Sequence, residues 1–139
     1  MTWVGDLLRA RPAVAPRLVF EMTELGVVRD VPVASRFAQL LRAAGAGFAV
    51  DNFGLHSDAF RCLQLLMPSY IKLNRALFDR LAENREDQFF IGSIVKIARP
   101  LQIRVIAQAI EEAALVPLLQ SLGIDAYQGY ASGIPARIA

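Results

Sequence analysis

Short apolar runs alternate along the chain with amphipathic stretches, and each run gives out into polar residues. The runs are Leu18 to Glu21, Phe48 to Asp51, Tyr70 to Leu73, Arg104 to Ala107 and Ala126 to Gln128, and their ends read FEMTE, VDNFG, YIKLN, VIAQAIE and YQGY. Brief continuous apolar runs bounded by turn formers predict buried strands. The stretches between them carry helical spacing. Pro32 opens one helix, whose Val33, Phe37, Leu40, Leu41 and Ala44 form a stripe that Gly45 stops. Ser57 and Asp58 are candidate caps for a helix with Phe60, Leu63 and Leu66 inside and Pro68 at its end. A helical turn is expected at Leu77 to Leu81, then a polar break at Glu83 to Asp87. A longer helix follows with Phe90, Ile94, Val95, Ile97 and Ala98, up to Pro100. Glu111 and Glu112 suit the positive start of a last helix ending at Gly123, which Pro117 should kink or shift.

Apolar strands in strict alternation with helices predict an α/β domain whose parallel sheet is covered by helices. Such a sheet, as a barrel or doubly wound, displays its site where the strands run out into loops. Those are the positions of Glu21, Asp51, Asn52, Lys72, Gln108 and Gln128. The chain has 139 residues, one domain without linker or low-complexity tract. A complete eight-stranded barrel takes roughly 250.

Composition changes this picture little. The hydrophobic fraction is 55 %, yet no apolar run reaches the ~18 residues that span a bilayer. The longest, near Phe89 to Ala98, is broken by Gly92, Ser93 and Lys96. The amino end lacks a basic-then-apolar leader, so a cytoplasmic protein without a membrane segment is expected. Cys62 is the sole cysteine and allows no internal disulfide; its place on an apolar helix face predicts a core residue. Net charge is +2, and the basic residues are scattered arginines without interleaved aromatics, which reads as a solvated face and gives no support to nucleic-acid binding. His56 reads as a solvated loop residue, and Trp3 as either surface or cover for a sheet edge.

Side by side at neighbouring strand ends, Glu21 and Asp51 would offer hard oxygen ligands to Mg²⁺ or Mn²⁺, though acids at such ends also cap helices and hold loops. Lys72 would face a phosphate or an attacking water, or else pair with Glu21 or Asp51. Gln108 and Gln128 can hydrogen-bond a base or phosphate but cannot take a proton at neutral pH.

The order and spacing of these segments resemble the C-terminal part of the EAL domain family, the cyclic-di-GMP phosphodiesterases, whose motifs include E-x-T-E, DDFG, K-x-D, VIAEGVE and QGY. They stand here as Glu21-Met22-Thr23-Glu24, Asp51-Asn52-Phe53-Gly54, Lys72-Leu73-Asn74, Val105 to Glu111 and Gln128-Gly129-Tyr130, followed by Gly133-Ile134-Pro135. The resemblance implies a TIM-type (β/α)8 barrel that binds cyclic-di-GMP across its strand ends and hydrolyses it with two divalent cations. By the same resemblance Glu21 ligates a metal, Asp51 bridges both, Glu24 braces the loop after the Asp pair, Lys72 holds the attacking water, and Gln128 lies near that water or the phosphodiester.

The departures shape the expectation. The Glu-Ala-Leu motif and the strand with the family's metal-binding Asn do not occur, so the chain is expected to start after three strands: a partial barrel of about five parallel strands. Asn52 stands for the second Asp of DDFG, Gln108 for the Glu of VIAEGVE and Asn74 for the Asp of K-x-D. The loop Leu55 to Ala59 lacks the family's usual composition. An amide supplies no negative charge and takes no proton from water. The expectation is therefore an inactive, degenerate domain, with at most one weakly held Mg²⁺ or Mn²⁺. It would act as an interaction module or remnant, through a homodimer or protein partner that covers unpaired edges and an apolar face. The alternatives are a cyclic-di-GMP receptor and an active phosphodiesterase.

Overall fold

The computed structural model describes residues 2–56 and 58–134. Val19–Thr23 (β1), Gly47–Phe53 (β2), Tyr70–Leu73 (β3), Arg104–Ala107 (β4) and Ala126–Tyr127 (β5) form one parallel sheet in chain order. The helices are Thr2–Ala10 (α1), Glu24–Arg29 (α2), Val31–Ala43 (α3), Ala59–Leu66 (α4), Arg85–Ala98 (α5) and Val116–Ser121 (α6). The α/β class with about five parallel strands is as the sequence predicts.

Parallel register partners share a face of the sheet. Phe48, Val50, Ile71, Leu73, Val105 and Ala107 point to the helices, where Leu41, Leu63, Ile91 and Ile94 complete the core. The opposite face carries Val19, Glu21, Ala49, Tyr70, Lys72 and Ile106 in register. It is less covered: Val19 is 46 % exposed, and Arg104 and Ala126 are exposed as well. β1 pairs with β2 and β5 with β4, so among the described residues the sheet is open and has two edges.

Several boundaries move. β1 runs on to Thr23, whose Oγ1 accepts from the Gly26 amide at 3.2 Å and caps α2, a helix the apolar pattern did not announce. β2 continues through Asp51 to Phe53, because Asn52 takes a left-handed conformation (φ 55°) and lets the register with β3 shift between Val50 and Phe53. Asp30 caps α3, accepting from Val33 N at 3.0 Å, with Pro32 in the first turn. Asp58 precedes α4 without a side-chain capping bond, and Ser57 lies outside the described residues. The turn expected at Leu77 to Leu81 is present and begins earlier: a 3-10 turn at Arg75–Leu77, where Asn74 Oδ1 accepts from Ala76 N at 2.9 Å, runs on into hydrogen-bonded turns that include Leu81 N to Phe78 O. Glu111 and Glu112 do not begin a helix. A 3-10 turn at Ala113–Leu115 leads into α6, and Pro117 lies in its first turn, where a missing N–H costs nothing. Cys62 is buried at 6 % exposure, and Trp3 lies on the surface at 71 %.

Candidate functional site

The carboxyl ends of β1 to β4 bring Glu21, Asp51, Lys72 and Gln108 together. Lys72 is 9 % exposed and its Nζ donates to both oxygens of Glu21, at 3.0 and 2.9 Å, with Asp51 Oδ1 3.7 Å away. A buried ammonium requires such partners, since an unpaired charge there would lose its hydration without return. Gln108 Nε2 donates to Asp51 Oδ1 at 2.9 Å, and Asn52 Nδ2 donates to Asp51 Oδ2 at 3.0 Å. Asn74 Nδ2 in turn donates to Asn52 Oδ1 at 3.2 Å. The three amides Gln108, Asn52 and Asn74 thus join one chain of hydrogen bonds ending on Asp51. Gln108 Oε1 is buried without a hydrogen-bond partner among the described residues.

Glu24 serves the same end of the sheet from beneath. It is 1 % exposed; Oε1 accepts from Gly54 N at 2.8 Å, and Oε2 from Leu55 N at 3.0 Å and His56 N at 3.1 Å. His56 Nδ1 lies 2.7 Å from Oε2 with its side chain 42 % exposed, so His56 is a partner of Glu24 and more than a solvated loop residue. One carboxylate therefore fixes the loop that follows Asp51 and Asn52.

Gln128 lies just past β5 with an exposed side chain, and its place is set by backbone contacts. Its amide donates to Ala107 O at 2.8 Å, its carbonyl accepts from Ile110 N at 3.0 Å, and Ala131 N donates to Ile110 O at 3.0 Å. Gly129, at φ 144°, permits this lacing: a Cβ there would sit 2.3 Å from Ile110 O. Ala109 beside it holds φ 53°. The sequence reading placed all the site residues at strand ends but missed His56, whose partner is 32 positions away. The strained Ala109 was also missed, though its signal was an alanine where the resembling motif has glycine.

A model of the EAL domain family matches residues 1–135. The chain belongs to the EAL domain family. It is 30 % identical over 118 residues to the bifunctional diguanylate cyclase/cyclic di-GMP phosphodiesterase MucR of Pseudomonas aeruginosa, covering 85 % of this chain and 17 % of that protein. The EAL domain of Xanthomonas citri FimX, solved in complex with c-diGMP, matches with a TM-score of 0.88 and 25 % identity over 96 % of this chain and 55 % of that one. Klebsiella pneumoniae BlrP1, solved as a manganese/cyclic-di-GMP complex, matches with a TM-score of 0.81 and 28 % identity over 94 % of this chain and 33 % of that one. The chain thus spans less than a fifth of MucR and about half of the FimX EAL chain. These EAL relatives bind cyclic-di-GMP, in BlrP1 together with manganese.

Against that chemistry, the donor set of this EAL chain does not fit a pair of divalent cations. Two carboxylates share one ammonium, and both oxygens of Asp51 already accept N–H groups from amide side chains. No group of three or more His, Cys, Asp or Glu residues among those described is placed to hold a metal ion. Two divalent cations at van der Waals distance from one another need several anionic oxygens to offset their repulsion. Nor is any helix among the described residues long and apolar enough to cross a membrane.

Proposed function

We propose that this chain serves cyclic-di-GMP signalling as a degenerate EAL module that does not hydrolyse the dinucleotide and works by docking a second copy of itself or a protein partner. The observation that carries the reading is the capping of Asp51 on both oxygens by Gln108 and Asn52. A carboxylate that bridged two cations would present those oxygens to metal. Glu21 and Asp51 remain as ligands for at most one weakly held Mg²⁺ or Mn²⁺, and Lys72 competes with it for Glu21. Neither Gln108 nor Gln128 can accept a proton from water. The partly bare sheet face, with Val19 and Ala126 exposed, and the two open edges give a partner something to cover.

The test is incubation of the purified chain with cyclic-di-GMP and Mg²⁺ or Mn²⁺, read by chromatography of the products. No linear dinucleotide is expected, and product that disappears with Glu21→Ala overturns the reading. Size-exclusion chromatography with light scattering is expected to give a dimer.

A second reading, a cyclic-di-GMP receptor, is favoured by one observation. Lys72, Gln108 and Gln128 stand along one end of a sheet whose fold is shared with the FimX EAL domain, solved in complex with c-diGMP. Micromolar binding in titration calorimetry without hydrolysis would favour the receptor; no heat and a dimer favour the docking module.

A further inference from the structure

Five of the arginines that look scattered in sequence, with Lys96, are gathered at one end of the sheet by the topology. In a parallel sheet flanked by antiparallel helices, the strand amino ends and the carboxyl ends of the helices that lead back to them lie at one pole. Arg11 and Arg17 enter β1 there; Arg42, Lys96 and Arg99 close α3 and α5; Arg104 opens β4. All six are exposed. Arg42 and Arg104 line one concavity of about 370 Å³ with Ser69, Tyr70 and Gln102, and Arg99 and Arg104 line the next with Asp125. Asp125 is the acid that shares this pole, and its Oδ2 is taken up by Val105 N at 2.7 Å. Acids at strand carboxyl ends and helix amino ends, such as Glu21, Asp51 and Glu86, lie toward the opposite pole, where Arg75, Arg80 and Arg85 also stand, and Asp6 is paired with Arg9.

Individually, a cation near a helix carboxyl end complements the helix dipole. Together the six form a basic plate whose described acid is Asp125, and none of the six is in an ion pair among the described residues. Exposed aliphatic side chains stand among them: Val14 between Arg11 and Arg17 is 42 % exposed, Met67 beside Arg42 is 56 % exposed, and Leu65 and Ile97 in the last turns of α4 and α5 are 61 % and 47 % exposed. The plate's aromatic residue is the half-buried Tyr70, a single ring where nucleic-acid surfaces interleave several aromatics with their cations. The headgroup layer of an anionic bilayer accepts both kinds, attracting the cations and burying the aliphatic tips.

We infer that the strand-amino pole of this chain is a docking surface for anionic phospholipid membranes, on which the molecule lies with its candidate site turned to solvent. Binding by this plate is electrostatic first, so it weakens as salt shortens the range of the charges.

The experiment is co-sedimentation of the full chain with vesicles of phosphatidylcholine alone and of phosphatidylcholine mixed equally with phosphatidylglycerol, corrected for protein that pellets without vesicles. Sedimentation is expected with phosphatidylglycerol only, and is expected to fall as salt rises from about 0.05 M to about 0.5 M. The triple change Arg17→Glu, Arg99→Glu and Arg104→Glu should lower it by about tenfold or more, while lysine at the same three positions keeps it. Circular dichroism melts establish that the variants fold; if the glutamate variant does not, glutamine at the three positions replaces it. Equal sedimentation with both vesicle types, none with either, or no change in the folded variant overturns the inference. So does displacement from phosphatidylglycerol vesicles by duplex DNA at equal charge, which would assign the pole to nucleic acid.

Discussion

Gln108 donates its amide N–H to Asp51 Oδ1 at 2.9 Å, across the neighbouring ends of β4 and β2. A glutamate at this position would set two carboxylates against each other where an amide now joins a carboxylate. Gln108→Glu is therefore expected to destabilise the metal-free chain by about 2 kcal/mol, as like charges do at such range. Combined with Asn52→Asp, it should also create manganese affinity. Thermal melts with and without Mn²⁺ check both: the double variant should melt lower than the parent alone and gain stability on adding the ion, while the parent changes little.

Glu24 is the buried residue with most to lose. Its two oxygens hold three backbone amides and the His56 ring. Glu24→Ala leaves these donors unpaired and is expected to cost about 3 kcal/mol. Glu24→Gln, which can accept at one oxygen only, should fall between. Denaturant unfolding measures the difference, and faster amide exchange at Gly54, Leu55 and His56 should accompany it.

Gly129 has no room for a side chain. A Cβ would lie 2.3 Å from Ile110 O, 2.5 Å from Ile110 N and 2.8 Å from Ile110 C, all of them backbone atoms that cannot swing away. Gly129→Ala should cost about 3 kcal/mol and loosen the link between the QGY segment and β4, seen as a lower melting temperature.

Ala109 is the opposite case. It is exposed and holds φ 53°, a conformation that costs a residue with a Cβ about 1 kcal/mol relative to glycine. Ala109→Gly should stabilise the chain by about that amount in the same unfolding experiment, with no change in the neighbouring hydrogen bonds.

How far these relations were legible in the sequence depends on their range. β3 and β4 were read to the residue, because each is a short apolar run with a stop at both ends. α2 was missed because Thr23 and Glu24 looked like the end of a strand, when Thr23 is also the cap of the helix that follows. Pro117 was read as a kink because the run before it looked helical; in the fold it starts the helix. The convergence of Glu21, Asp51, Lys72 and Gln108 followed from the rule that parallel strands end on one side. Which partner each would take did not. The Lys72 bond to Glu21 spans 51 positions, and nothing local distinguishes it from a bond to Asp51. The basic pole was hidden for the same reason: its arginines are far apart in sequence and meet only once helices and strands are laid antiparallel.

The open sheet also bears on how the chain folds. Among the described residues each strand pairs with the strand next to it in the chain, and no pairing joins β1 to β5. A closed barrel must bring its first and last strands together, at the entropic cost of ordering everything between them. Within these residues each unit of strand and helix can add to the one before as the chain leaves the ribosome. The growing edge stays available throughout, so the route that makes folding stepwise also leaves a template on which another copy's strand can add.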